Sequence, residues 1–237
     1  MLGQAKIRFA SEFSEDGRLR RDYQAVNQQQ RKAEAWDEIV AVVFPKGERI
    51  ASQCLARLQQ APLLHTLTLS NTGVSDVQLQ TVAKLPALRR LFLSQTDVGD
   101  AGVSHLWNLS TLQRITLTET NVSTAGCLPA TDSKQLESLI LVDTLVDDEL
   151  LESIANVATL KLLWLDGTRV SDNGLAFLSS LTNLTRLHLN RTSVSDAGIS
   201  HLFGMQQLRK LHVQQTMVSE KGKSQLLVHI PNLDVLL

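Results

Sequence analysis

The segment LTRLHLNRTSVSDAGISHLFGMQQ (residues 184–207) is followed directly by LRKLHVQQT (residues 208–216), which repeats its opening pattern after 24 residues. The same interval separates a column of leucines that runs through most of the chain: Leu64, Leu88, Leu112, Leu136, Leu160, Leu184 and Leu208. Further columns keep this register, with apolar residues three, five and ten positions after each of these leucines and threonine eight positions after. A fixed period of this kind predicts a repeat protein in which each 24-residue unit is one structural turn.

Each repeat has two parts. The opening xLxLx alternates with period two, which predicts a short strand with its leucines turned inward. The later part, as in VSDNGLAFLSSL (Val170 to Leu181), spaces apolar residues behind Ser and Asp, which predicts a capped helix of about two turns. Units that cannot bury their leucines alone stack side by side, so we expect one parallel sheet on the concave face and helices outside. The threonine column lies where the chain leaves the strand, and we expect its hydroxyls to bond backbone groups of the neighbouring turn.

The complete pattern, LxxLxLxxTxVSDxGLxxLxxL, resembles the leucine-rich repeat, in the bacterial variety that has Thr where better-known forms have Asn. The resemblance covers Leu64 to about Leu237. It implies the α/β class: a right-handed leucine-rich repeat solenoid with a parallel concave β-sheet, short convex helices and an N-terminal helical cap. For function it implies only a curved scaffold that binds another protein.

The period divides the chain into three regions. Residues 1–38 are predicted to be an N-terminal arm and capping helix, with the helix between Leu19 and Trp36, while residues 4–18 fit either a small hairpin or a disordered arm. Residues 39–63 are predicted to be a degenerate first repeat, and residues 64–237 seven full repeats plus a partial C-terminal strand. The last turn is expected to be closed by its own residues rather than by a partner. In repeat three, Pro129 predicts an irregular convex loop in place of a regular helix.

Composition and motifs argue against several classes. The formal net charge is −1 and basic blocks are absent, which argues against a nucleic-acid binder. No apolar run is long enough to insert into a membrane. The chain lacks hydrolase, phosphate-loop, HExxH and CxxC motifs, so we expect no enzyme and no cofactor. MLGQAKIRF has no signal-peptide character, which predicts a cytoplasmic location, or a periplasmic or exported one if a leader was removed from a longer gene product.

Three groups of residues have a chemical and a structural interpretation. The Asp-x-Gly elements, such as Asp172 to Gly174, are expected to be helix N-caps rather than metal loops because they recur with the repeat. Cys54 and Cys127 are expected to be small buried hydrophobes rather than nucleophiles. His188 and His212 should be direct neighbours on the sheet, and without a third soft donor we expect no metal site there.

The concave face is predicted to carry the binding site. Alternation turns the second, fourth and sixth positions after each first leucine away from the core. In repeats four and five these positions bring apolar residues together, joined by Leu145, with basic residues on either side, and such a rimmed patch is typical of a binding surface. The predicted partner-binding residues are Phe92, Arg114, Ile140, Val142, Leu162, Trp164, Arg186, His188, Arg191, Lys210 and His212.

These features predict a non-catalytic scaffold that binds a protein or peptide segment across repeats two to seven, with Trp164 at the centre. The alternative is a structural or substrate-recognition subunit of a larger complex that uses its ends or convex face. Exposed apolar side chains should concentrate on the concave face in the first case and at the ends or convex face in the second.

Overall fold

The sheet of this protein follows the order of the sequence. A computed structural model describes residues 6–9 (backbone only), 39–47, 49–128, 130 and 134–237. Within these residues each strand pairs with the next one along the chain; β1 is antiparallel to β2, and β2 to β10 are parallel. The strands are β1 (Lys6–Phe9), β2 (Ile39–Val43), β3 (Thr66–Thr68), β4 (Arg90–Phe92), β5 (Arg114–Thr116), β6 (Ser138–Ile140), β7 (Leu162–Trp164), β8 (Arg186–His188), β9 (Lys210–His212) and β10 (Asp234–Leu236).

Short helices follow the strands and lie on the other side of the turn. They are α1 (Ser52–Arg57), α2 (Asp76–Val82), α3 (Asp100–Leu106), α4 (Thr124–Cys127), α5 (Asp148–Ile154), α6 (Asp172–Leu175), α7 (Asp196–Ile199) and α8 (Glu220–His229). Three 3₁₀ segments extend α1, α6 and α7: Leu58–Gln60, Ala176–Ser180 and Ser200–Leu202. In the described part of the chain no helix combines the length and apolar character needed to cross a membrane.

The 24-residue period becomes the register of the sheet. Leu163 pairs with Leu187, which pairs with Leu211, and all three are fully buried. Each apolar column therefore forms a continuous row that crosses the repeats inside the solenoid, so each repeat covers the leucines of the one before it. This arrangement confirms the predicted leucine-rich repeat solenoid, with a parallel sheet on one face and helices on the other.

The threonine hydroxyls form hydrogen bonds within their own repeat. The prediction that they bond backbone groups of the neighbouring turn is wrong. Thr168 Oγ1 donates to the carbonyl of Leu165 at 2.6 Å, and the other six threonines make the same bond at 2.6 to 2.7 Å. The reason is local geometry, because the bend brings the hydroxyl within reach of the carbonyl three residues earlier. Each threonine thereby satisfies a backbone acceptor inside its own bend.

The aspartates of the Asp-x-Gly elements are not N-caps of their own helices. Asp172 is the first residue of α6, and its carboxylate accepts from the backbone N–H (2.7 Å) and the hydroxyl (2.5 Å) of Ser195 in the next repeat. It reaches that far because Gly198 has no side chain; a Cβ there would lie 2.9 Å from Asp172 Cα and against the carboxylate. The pairing recurs for Asp76 with Gly102, Asp100 with Gly126, Asp148 with Gly174 and Asp196 with Gly222.

One pair of repeats exchanges these roles. Thr124 occupies the aspartate column, and its hydroxyl bonds Asp147, which stands in the cap position where the neighbouring repeats have Ser. At the glycine column of the same junction stands Leu150, which is fully buried. Thr124 is shorter than the aspartate of the other repeats, so there is room for the side chain of Leu150 where the other repeats need glycine. The aspartate column and the glycine column therefore change together.

Several predictions concern residues that the structure does not describe. The capping helix between Leu19 and Trp36, and most of residues 4–18, lie outside the described residues, although residues 6–9 form β1. The same holds for Pro129 and residues 131–133, so the irregular loop of repeat three stays a prediction. At the other end β10 pairs with β9, with Val235 buried and Leu236 exposed.

Candidate binding surface on the concave face

The outward side chains of the strands form three columns along the concave face. Strand register makes Ile140, Trp164, His188 and His212 successive neighbours in the middle column. None of these four is fully buried and none is widely exposed, because each is partly covered by the residues on adjacent strands. The predicted residues of repeats four to seven are therefore placed side by side.

Three of them form an aromatic stack, which we define as Trp164, His188 and His212. The Trp164 and His188 rings lie 4.4 Å apart at 7°, and the His188 and His212 rings lie 3.9 Å apart at 18°. Parallel strands 24 residues apart impose this spacing, since flat side chains at equivalent positions lie face to face. The Trp164 Nε1 is buried and has no hydrogen-bond partner in the described part of the chain. The stack gives the concave face a flat, aromatic centre three repeats wide.

The middle ring of the stack is neutral at pH 7. Burial, and then the charges of His212, Arg186 and Lys210, lower the pKa of His188 to about 4. Its Nδ1 lies 3.8 Å from Asp166 Oδ2, which would be an ion pair only if the ring were protonated. With this pKa the contact is between a neutral imidazole and a carboxyl group, so His188 adds no charge to the centre of the stack.

Asp166 is held by hydrogen bonds from the equivalent position of the next repeat. Burial raises its pKa, and hydrogen bonds from Asn190 oppose that rise. The backbone N–H of Asn190 donates to Asp166 Oδ1 at 2.9 Å, and the backbone N–H of Gln214 donates to Asn190 Oδ1 at 2.7 Å. These bonds anchor the polar column beside the aromatic stack, so the stack rests against fixed side chains.

The two histidines of the stack were the metal alternative considered from the sequence. Because their rings are stacked nearly parallel, the in-plane lone pairs of His188 and His212 run alongside each other and do not converge on one point. The described residues contain no group of three or more His, Cys, Asp and Glu side chains arranged to hold a metal ion. Cys127 is buried, and burial followed by the charge of Asp100 raises the pKa of its thiol to about 12.

The apolar residues around the stack form a contiguous group. Ile140 is the register neighbour of Trp164, Leu162 lies two residues before Trp164 on the same face, and Val142 lies two residues after Ile140. All are half-buried. Phe92 is not part of this group, because Thr116 on β5 stands between it and Ile140.

Leu145 also lies apart from the apolar group, contrary to the prediction. It follows the bend at Thr144 and pairs with Ser123 in an isolated bridge outside β6. Leu145 stands nine positions after Leu136, outside the second, fourth and sixth positions that form the concave columns, and it comes after the bend that follows the strand.

The predicted basic residues differ in how they are held. Arg186 and Lys210 are exposed register neighbours, and Lys210 Nζ lies 4.0 Å from Asp234. Arg191 is engaged within the chain: its two terminal nitrogens donate to both oxygens of Asp143, at 2.8 and 3.0 Å. Arg191 thus joins repeat six to repeat four, and its guanidinium is only partly available to a partner.

Sequence reasoning missed a cleft on the same face. We define the basic cleft as the cavity of about 220 Å³ lined by Arg90, Gln113, Arg114, Glu137 and Ser138. Only Arg114 was among the predicted residues. The signal was present in the second-position column, where the small Ser138 stands between the long side chains of Arg114 and Leu162.

Comparison with known proteins supports the fold. No protein-family model and no curated protein matches the chain. Solved structures with the same fold include internalin C2 of Listeria monocytogenes (TM-score 0.68, 23% identity, covering 84% of this chain and 81% of that one). Another internalin of L. monocytogenes, inlF, gives a TM-score of 0.57 at 21% identity over 77% of this chain. A leucine-rich repeat protein of Leptospira interrogans gives 0.64 at 16% identity over 81%.

The chain spans about half of the last two proteins, 56% of inlF and 52% of the Leptospira protein. At these identities the likeness establishes the architecture alone. The protein is a leucine-rich repeat solenoid, similar in fold to solved bacterial proteins of that kind.

Proposed function

We propose that this chain is a non-catalytic interaction module whose concave face binds an extended segment of a partner protein across repeats two to seven. The observation that carries the proposal is the aromatic stack together with its apolar neighbours Ile140, Val142 and Leu162. A contiguous group of this kind, flanked by exposed charges, is typical of binding surfaces. Tryptophan is also among the residue types that contribute most to protein interfaces.

The electrostatics of the aromatic stack suit uncharged side chains in the part of the segment that contacts it. His188 is neutral at pH 7 because its pKa is lowered to about 4. Arg186 and Lys210 lie exposed on one flank, while Asp143 partly neutralises Arg191. Apolar and aromatic side chains of the partner would contact the stack, and its polar groups would meet the charged flank.

A second candidate is assembly through the end or convex side, and a specific observation favours it. Two of the most exposed large hydrophobic residues, Met217 (64%) and Val228 (77%), lie off the concave face in the last repeat. Leu236 (42%) is exposed at the end of the array, where it is the register neighbour of His212. The exposed fraction of single apolar side chains therefore favours this alternative. The presence of several apolar side chains next to one another favours the concave face. We give contiguity more weight because single exposed apolar residues are normal on protein surfaces.

Selection of binding peptides from a random library on the immobilised chain tests the two candidates. For the selected peptide, Trp164→Ala should weaken binding by about 2 kcal/mol or more, as loss of a central interface residue does. The fold should persist, because the core positions of β7 and its flank are Leu163 and Leu165. Val228→Ser is the matched control and should leave affinity unchanged. Normal binding by Trp164→Ala with loss of binding by Val228→Ser would replace the proposal with the alternative.

A further inference from the structure

The basic cleft lies where β4, β5 and β6 begin, and the aromatic stack starts on the next strand, β7. Its floor is Ser138, the first residue of β6, and its walls include Arg90 and Arg114. These three residues occupy equivalent positions on adjacent strands, so strand register places them side by side. The cleft is therefore formed by the regular sheet, not by a loop.

Two guanidinium groups line the cleft, and no carboxylate of the described residues forms an ion pair with either of them. Arg90 and Arg114 are register neighbours, and among the described residues neither forms an ion pair. Glu137 also lines the cleft, but its carboxylate is bound to Lys161 Nζ at 2.7 Å. Adjacent like charges on neighbouring strands are unfavourable. Within the described residues, the charges of Arg90 and Arg114 are therefore not balanced by an ion pair.

Two hydroxyls on the same face also lack a hydrogen-bond partner among the described residues. Ser138 Oγ is buried, the residue being only 2% exposed, and it makes no hydrogen bond with any described residue. Thr116 Oγ1, on the same face two residues after Arg114, is buried and unpartnered in the same way. A buried hydroxyl without an acceptor is costly. An oxygen atom placed in the cleft would accept from Ser138 and attract both guanidinium groups.

We propose that the basic cleft is an oxyanion-binding subsite that receives a phosphoryl or carboxylate group of the bound segment. The inference rests on the proposed function, because the segment that lies on the aromatic stack is the one that carries the oxyanion. Arg90 and Arg114 bind its oxygens through paired N–H donors, the geometry in which guanidinium groups are strongest. Ser138 donates a further hydrogen bond from the floor.

The charge of the lining favours the phosphoryl form. Because Lys161 neutralises Glu137, Arg90 and Arg114 leave the lining with two positive charges in excess. A phosphate dianion would neutralise both charges, whereas a carboxylate would neutralise one. The volume of about 220 Å³ accommodates either group. The cleft could therefore bind either a phosphorylated side chain or a carboxylate side chain. Comparing its affinities for inorganic phosphate and for acetate distinguishes the two.

The test uses the whole chain and two simple probes, inorganic phosphate and acetate, titrated separately at low ionic strength and followed by two-dimensional NMR. We expect saturable shifts at the amides of Arg90, Arg114 and Ser138, with phosphate binding more tightly than acetate. Arg114→Gln should weaken phosphate binding about tenfold, the loss expected for a charged hydrogen-bond pair. Arg57→Gln is the control for the loss of one positive charge, since Arg57 is exposed on α1 and is not among the residues that line the basic cleft, and it should leave phosphate affinity unchanged.

Ser138→Ala separates the subsite from general positive charge. It should weaken phosphate binding by about fivefold while leaving the free protein as stable as before or more stable, because it removes an unpartnered hydroxyl. Tighter binding of acetate would also support the subsite and would assign a carboxylate to it. No saturable shift with either anion, or equal losses in Arg114→Gln and Arg57→Gln, would overturn the inference.

These results are distinguishable from a failure of the proposed function. Phosphate binding by the isolated chain does not involve Trp164, so Trp164→Ala should retain it. If the cleft binds phosphate but no segment binds the stack, the proposed function fails and the subsite stands. If a segment binds through Trp164 but the cleft binds no anion, the subsite fails alone.

Discussion

Asp143 and Arg191 are joined by a two-bond ion pair that passes over the repeat between them. The bonds measure 2.8 and 3.0 Å, although the residues are 48 positions apart. The residue they pass over is Gly167, which adopts a φ of +68° at the same column. A Cβ on Gly167 would collide with Asp143 Oδ1 and lie 3.2 Å from a terminal nitrogen of Arg191. The missing side chain is what lets the pair span two repeats.

Gly167→Ala should therefore break this ion pair. We expect a loss of about 2 kcal/mol in the free energy of unfolding, from the left-handed backbone conformation and from the displaced carboxylate together. Arg191→Ala alone should cost less than about 1 kcal/mol, because the pair is exposed to solvent. Urea denaturation of both single variants and the double variant measures the coupling. Costs that simply add would show that Gly167 does not serve the ion pair.

Gly198 should be intolerant of any side chain for a different reason. Its Cβ would approach the backbone of Asp172, at 2.9 Å from Cα, and would displace the carboxylate from Ser195. Gly198→Ala is expected to destabilise the protein by about 2 kcal/mol. Gly204 is the matched control, since a Cβ there meets nothing within 4 Å, and Gly204→Ala should be neutral or stabilising by about 0.5 kcal/mol. Equal melting temperatures for the two variants would contradict this account.

The fold could be predicted from the sequence because the period is itself the sheet register. Residues 24 apart are neighbours, so the columns of leucine directly specify which side chains pack together. The period does not specify which atoms of two neighbouring residues bond. For that reason the carboxylate of Asp172 was assigned to its own helix, and the hydroxyl of Thr168 to the neighbouring turn, whereas the structure pairs them the other way round.

The candidate site was predictable in part for the same reason. Alternation placed Trp164, His188 and His212 side by side, and flat rings at that spacing stack. The burial of each side chain was not predictable, because it depends on whether the longer side chains beside it cover it. Ser138 looked like one polar residue in a column, yet its neighbours leave it buried at the floor of a cleft.

The threonine column should contribute to stability in proportion to burial. Thr168→Val removes the hydroxyl that donates to Leu165 while keeping the side-chain shape, and we expect a loss of about 1 kcal/mol. Thr216 makes the same bond to Val213 at 2.6 Å but is half-exposed, so water can replace its hydroxyl after Thr216→Val. That variant should cost clearly less. Thermal unfolding compares the two, and a larger loss at Thr216 would be inconsistent with a role for burial.

His188 should make stability depend on pH in a defined window. Its pKa is about 4 in the folded protein, lowered first by burial, against an ordinary value of 6.5. As the pH falls from about 6.5 to about 4, the unfolded chain takes up a proton that the folded chain does not, so the free energy of unfolding decreases. Allowing for the exposed edge of the ring, we expect this loss to be about 1 to 2 kcal/mol.

The variant His188→Gln should show a weaker dependence of stability on pH. Because this variant also loses the aromatic stack, the quantity to compare is the slope of the free energy of unfolding between pH 6.5 and 4, not its absolute value. Asp166 acts in the opposite direction, since burial raises its pKa and the folded protein gains stability as that carboxyl takes up a proton. Because Asp166 contacts His188, the titration of the Asp166 carboxyl has to be followed in both proteins before the difference in slope is assigned to the histidine. NMR titration of the imidazole provides the direct measurement, and a pKa of His188 near 6.5 in the folded protein would show that the stack does not keep the ring neutral.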